Sequence, residues 1–341
     1  MDHLDLHSAA REGTLATLPH ETITAESLTA RNPSGHTPLH TAARYGGLKD
    51  LPAELLTAER LAIKNDAGYT PIHQAAIGGH LDQISPALLT LEALLSRSNS
   101  GYTVFHLAAE HGHIEQVPQD LLTAEIIALK NDLGNNLLHE AAEGGHFDKI
   151  PEALIDALVI SDRNISGETP LHVAALNGHL DQIPDRFITR EALLETTNAG
   201  DTVIHAAAIA GHLDQIPPAF LKHDTLVIAS KTGFTAIHAA AETGQLDQIP
   251  KEELTHDLLL TRNDNGDTPL HAAANEGHLD QIPHSVLTRQ ILMTRNYTGM
   301  TVGRIALQQG HIDQLPDHLR ARNGAIRRLL VSIGILRAPF A

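Results

Sequence analysis

The chain carries 24 histidines and 41 carboxylates in 341 residues, the side chains from which metal centres and acid–base sites are built. Nine of the histidines, His7, His40, His73, His106, His139, His172, His205, His238 and His271, recur every 33 residues. Seven more, His80, His113, His146, His179, His212, His278 and His311, each follow a glycine in a second register of the same period. A transition-metal site needs three or four ligands within about 2 Å of one point, whereas side chains repeated on successive units form a ladder. The expectation is no metal and no cofactor. The string His139-Glu140-Ala141-Ala142-Glu143 approaches the H-E-x-x-H pattern of zinc proteases, but a glutamate stands where the second zinc ligand belongs. No phosphate-binding glycine loop and no G-x-S-x-G nucleophile elbow occurs. The recurrent Asp82, Glu115, Asp148, Asp181, Asp214, Asp247, Asp280 and Asp313 read as charges at a helix N-terminus, where the helix dipole favours them, and not as acid–base pairs. A protein that is not an enzyme is expected.

What positions these residues is a repeat. Gly35-His36-Thr37-Pro38-Leu39-His40, Gly68-Tyr69-Thr70-Pro71-Ile72-His73 and Gly167-Glu168-Thr169-Pro170-Leu171-His172 share a phase with Gly101, Gly134, Gly200, Gly233, Gly266 and Gly299. An N-terminal unit beginning at Asp2 falls in register through Leu6-His7-Ser8-Ala9-Ala10, which makes ten units without insertion or deletion. Proline at a first helical position forfeits no hydrogen bond, and the threonine before it can cap. Paired alanines such as Ala75-Ala76 let neighbouring helices approach closely. A glycine ends this helix in every unit, from Gly13 to Gly310, and reads as a left-handed cap.

This Gly-x-Thr-Pro-Leu-His-x-Ala-Ala pattern resembles the ankyrin repeat. The resemblance implies an all-α solenoid of ten 33-residue repeats joined by short loops and turns, with histidines that bond backbone in the adjoining loop. It also implies a concave groove of loop tips and inner helix surface that binds another protein. One departure is systematic. Pro19, Pro52, Pro118, Pro151, Pro217, Pro250, Pro283 and Pro316, with Pro86 displaced by one, fall where the second helix of an ordinary ankyrin repeat would run. Proline breaks a helix, so two or three short helical or 3₁₀ pieces are expected instead. The third piece is ambiguous at Ala157-Leu158-Val159-Ile160, which is β-branched enough to be extended. The expected organisation is a capping repeat over 1–34, an array over 35–316, and a capping helix over 317–341 with Ile326, Leu329, Leu330 and Ile333 inward. The alternative for that last segment is a basic tail, bound to lipid or partner, carrying Arg320, Arg322, Arg327, Arg328 and Arg337.

A formal charge of -17 repels a phosphate backbone, so nucleic acid is not expected as a partner and a basic or neutral protein surface is accommodated more easily. The absence of cysteine excludes disulfides, thiol catalysis and cysteine-bound zinc, and fits a reducing compartment. Met1-Asp2-His3-Leu4-Asp5 lacks the features of a secretory leader, so a cytoplasmic location is expected. The longest apolar stretch, Leu329 to Leu336, is far short of the roughly 18 residues of a bilayer span, so no membrane insertion is expected. Nothing in the pattern fixes an oligomeric state.

In a repeat protein, function is expected where units differ. Two offsets vary: the residue after the turn glycine and the pair before the cap glycine. Tyr45, Tyr69 and Tyr102 fall there in adjacent units, with Ile77, Glu110 and His111 close by and Glu143, Glu168 and Asp201 continuing an acidic stretch towards Glu242 and Asp267. Clustered aromatics suit interface anchors, and the carboxylates suit a segment with Lys or Arg. The expected role is a non-enzymatic scaffold or adaptor. A targeting subunit of an enzyme or effector assembly, with the activity on another chain, is the alternative. Metal or proton sensing through the histidine ladder is a third.

Overall fold

Each repeat from the second onward opens on a turn whose asparagine or hydroxyl side chain holds the loop. Asn65 Oδ1 accepts the backbone N–H groups of Ala67 and Tyr69 at 3.0 and 2.9 Å. In this computed structural model, which describes residues 6–315, Gly68 then adopts φ 81°, and Thr70 is extended immediately before the helix Pro71–Gly78. That helix stops at Gly79, whose φ of 74° is left-handed.

The proline break takes the expected form. Leu81–Gln83 is a three-residue 3₁₀ turn, closed by the Ile84 N–H on the Leu81 carbonyl at 3.0 Å. A second 3₁₀ turn, Pro86–Leu88, and a single α-turn, Leu91–Leu94, complete the repeat. Proline has no N–H to continue an α-ladder, so each piece closes its bonds locally. Thr90 caps the last turn through the Ala93 N–H. The ambiguous 157–160 piece is also helical, because Asp156 Oδ1 caps it by accepting the Leu158 and Val159 N–H groups, both at 2.9 Å. Local capping outweighs β-branching there. Among the described residues there is no strand, only isolated bridges such as Ala229 to Thr235.

The repeats form a mostly helical, ankyrin-type solenoid, and the chain divides into two compact stacks at Phe187 and Ile188. In the first, the helices Pro38–Tyr45, Pro71–Gly78, Val104–Glu110, Leu137–Gly144 and Pro170–Asn177 pack in sequence, each on the next. In the second, Val203–Ala210, Ala236–Thr243, Pro269–Glu276 and Val302–Gln309 do the same. Fully buried alanine pairs, Ala42-Ala43 or Ala240-Ala241, let these helices meet, while Leu48, Leu81 and Leu246 from the 3₁₀ turns cover them. The capping segment expected over 317–341, and Asp2 and Asp5 of the first repeat, lie outside the described residues.

Two side-chain rungs join neighbouring repeats. Gln116 Oε1 accepts the Leu81 N–H at 2.9 Å while its Nε2 donates to the Gly79 carbonyl at 2.9 Å, and Gln281 repeats this on Leu246 and Gly244 at 3.0 and 2.8 Å. Each glutamine thereby satisfies the orphan backbone groups between the preceding repeat's helix and its 3₁₀ turn. The histidines after the cap glycines form the second rung. They sit in the junctions: His179 Nδ1 is 3.0 Å from the Ala142 carbonyl, and a Cβ on Gly145 would come within 2.8 Å of the ring.

Candidate functional site

The motif histidines do the positioning. His73 Nδ1 accepts the Thr70 backbone N–H at 3.1 Å and lies 2.8 Å from Thr70 Oγ1, which accepts the His73 N–H in return. This is a reciprocal capping box with histidine in the place usually held by Glu or Gln. An accepting Nδ1 leaves the proton on Nε2, which donates to the Tyr102 carbonyl of the next repeat at 3.3 Å. His40 reaches the Tyr69 carbonyl at 2.9 Å, His139 that of Glu168 at 3.0 Å and His238 that of Asp267 at 3.0 Å. His106 differs, bonding the Leu129 carbonyl at 2.9 Å. Through these bonds, a shared histidine anchors the turn whose side chain varies. Burial lowers His40, His73, His106 and His139 to about 4 and also lowers His205, His238 and His271. A ring with both nitrogens committed in this way has no lone pair to offer a metal. Among the described residues, no three His, Asp or Glu side chains converge on a point that could hold one.

On the first stack, Arg44, Ile77, Glu110 and Glu143 occupy one register of successive helices, and Tyr45, Gly78, His111 and Gly144 the next. The two glycines are there because the helices converge. A Cβ on Gly78 would stand 2.1 Å from the Arg44 carbonyl, and one on Gly144 only 1.7 Å from that of Glu110. Glu143, exposed, is thus held close to half-buried Glu110, whose pKa is raised by burial and by Glu143 against the pull of Arg44. Tyr45 is 51% exposed, with the Arg11 guanidinium 6.0 Å from its ring centre. Ile77 and His111 are half-buried.

Tyr69 and Tyr102 are less free than a pair of bare anchors. Both are half-buried, edge-on to His73 and His106 with ring centres 5.6 and 6.1 Å apart. Glu168 is also half-buried, accepting the Asn164 amide at 2.8 Å. These residues all belong to the first stack. Asp201 belongs to the second, half-buried, with its backbone N–H on Thr197 Oγ1 at 3.3 Å. There, Glu242, Asp267 and Glu276 line a cavity of about 330 Å³ beside Phe234.

One residue of this face was not among those expected to bind. Glu140, dismissed with the broken zinc motif, is completely buried. Its Oε1 accepts the Asn131 and Asn135 amides at 2.8 and 3.0 Å, while Oε2 has no hydrogen-bond partner. Burial, with Glu110 and Glu143 adding to it, raises its pKa to about 8 against the opposing asparagine bonds. Burial and the same three carboxylates also raise the Tyr102 phenol. The available signal was internal: among the repeats from Gly35 onward, only this one has an asparagine, Asn136, where the others carry the capping threonine, and only here is the residue after the motif histidine charged.

Short capped helices stacked by shared histidines, with variable side chains on one face, define a repeat-built interaction module. A family model described as Ankyrin repeats (3 copies) matches residues 6–85 and 105–183, and one described as Ankyrin repeat matches 265–283. The chain belongs to the ankyrin repeat family, whose repeats generally mediate protein–protein interaction and whose members are typically not enzymes. No curated protein matches the chain. Among the described residues, no helix is long and apolar enough to cross a membrane.

Proposed function

We propose that the first stack binds a protein partner, as a non-enzymatic scaffold or adaptor, through Tyr45, Tyr69, Ile77, Tyr102, Glu110, His111, Glu143 and Glu168. The observation that carries this reading is the convergence of consecutive helices at Gly78 and Gly144, which gathers exposed Tyr45 and the Glu110 and Glu143 carboxylates onto one face. Its charge favours a partner segment bearing Lys or Arg. Asp201 would extend recognition on the second stack. In the same reading, 1–34 caps the array and 35–316 supplies the binding repeats, inside the cytoplasm.

Replacing Tyr45, Tyr69 and Tyr102 together by alanine tests the face. Capture of the partner from native extract should weaken by ~1–3 kcal/mol per anchor. Thermal unfolding should fall modestly, through the His73 and His106 ring contacts. Undiminished capture would remove the aromatic face.

A further inference from the structure

We propose that Glu140, with Glu110 and Glu143 adding negative charge, receives one lysine ammonium of the partner, an inference that rests on the binding face above. Glu140 Oε1 is saturated by two amides, and its buried Oε2 has none. As an anion this oxygen lacks a donor, and as an acid it lacks an acceptor, so either state leaves a costly unsatisfied group. An ammonium can donate to this single oxygen while the Glu110 and Glu143 charges act on the same group, whereas a guanidinium needs a planar pair of acceptors and Oε1 is already taken. The groups acting electrostatically around this site are Glu110 and Glu143 beside Glu140, Tyr102 at the turn, and Arg44 and His111 at the neighbouring helix ends. Oε2 is closed off from solvent, so an incoming stem enters only as the side chains over it rearrange, a common adjustment at interfaces. A proton leaves Glu140 for solvent as the ammonium enters, so the carboxylate binds the cation and one proton is released per site.

The test uses the full chain with carboxyl-¹³C glutamate and Nα-acetyl-lysine methylamide as the probe, with its norleucine and arginine counterparts as controls. The lysine probe should move the Glu140 carboxyl resonance to its ionised position, and the norleucine probe should not. The midpoint should tighten about tenfold per pH unit as pH rises towards 8 and level off above it. Glu140→Gln should weaken the remaining response at Glu110 and Glu143 at least tenfold. A Glu140 resonance unmoved by lysine, or moved equally by arginine, would overturn the lysine site. Since no partner is used, that failure is separate from failure of the binding face, which partner capture decides.

Discussion

In the first stack, the residue after the motif histidine runs Thr41, Gln74, Leu107, Glu140, Val173; in the second it settles to Ala206, Ala239, Ala272. The capping boxes are alike in both, down to the 2.8 Å contact between Thr70 and His73 and between Thr202 and His205. Among the described residues, the second stack buries polar side chains only at the caps, in the motif histidines and at Gln245 and Thr225, whereas the first also buries a carboxylate. The capping scaffold is thus held constant while the position after the motif histidine varies, and it varies more in the first stack.

The largest effect that could break this comparison is acid. An unfolded histidine takes up its proton near pH 6.5, but His40, His73, His106 and His139 in the folded first stack do so only near 4. Their contribution is fully present above pH 6.5 and is lost as pH falls towards 4. Four such groups give a slope of up to ~5 kcal/mol per pH unit. Urea midpoints at pH 7, 6 and 5, with amide exchange on the intact chain, should show first-stack helices losing protection steeply. Flat midpoints across that window would contradict neutral, buried rings.

Next comes Gly144→Ala. Its Cβ would collide with the Glu110 carbonyl, and the expected loss is ~1–3 kcal/mol despite alanine's better helix propensity. His111 and Asn177 of the same stack and Ala210 of the second carry side chains in this register, so a neutral Gly144→Ala would show that the helices converge no more tightly at Gly144 than there. Glu140→Gln erases the buried charge. The folded value near 8 lies above the unfolded one near 4.5, so wild-type stability from this group is full below pH 4.5 and lost as pH rises to 8. The variant should match wild type at pH 4 and gain on it above, by at most ~1.4 kcal/mol per pH unit. Thermal melts at pH 5, 7 and 8.5 check this.

The smallest effects probe what the stacks share. His73→Ala and His238→Ala each remove one cap and one inter-repeat bond and should cost ~1–2 kcal/mol alike. His256→Ala, exposed at the start of His256–Leu259, should change stability by less than ~0.5 kcal/mol. Equal losses at all three would detach the motif histidines from their junctions.

Much of the fold was legible because its determinants are local. Thr-Pro before a helix, glycine after it and proline in the next segment act within a few residues, and all three act as expected. The glutamine rungs were not legible, since Gln116 finds its partners 35 and 37 residues earlier, on backbone atoms that carry no side-chain signature. The face was legible as a set of offsets but not in its burial. Tyr69 and Tyr102 rest partly on histidines of their own repeats, and Glu140 sinks between asparagines contributed by the turn. Those are consequences of side-chain packing within a repeat, which the offsets alone do not give.

The rungs also bear on how such a chain grows. Gln116, Gln281, His73 and His238 address the main chain of the adjacent repeat, never its side chains. For these rungs, a duplicated or transposed 33-residue block therefore finds its main-chain partners wherever it lands. Lengthening the chain by tandem copying requires no invention at the seam, and each new copy can accumulate changes on its exposed face while its joints stay as they were.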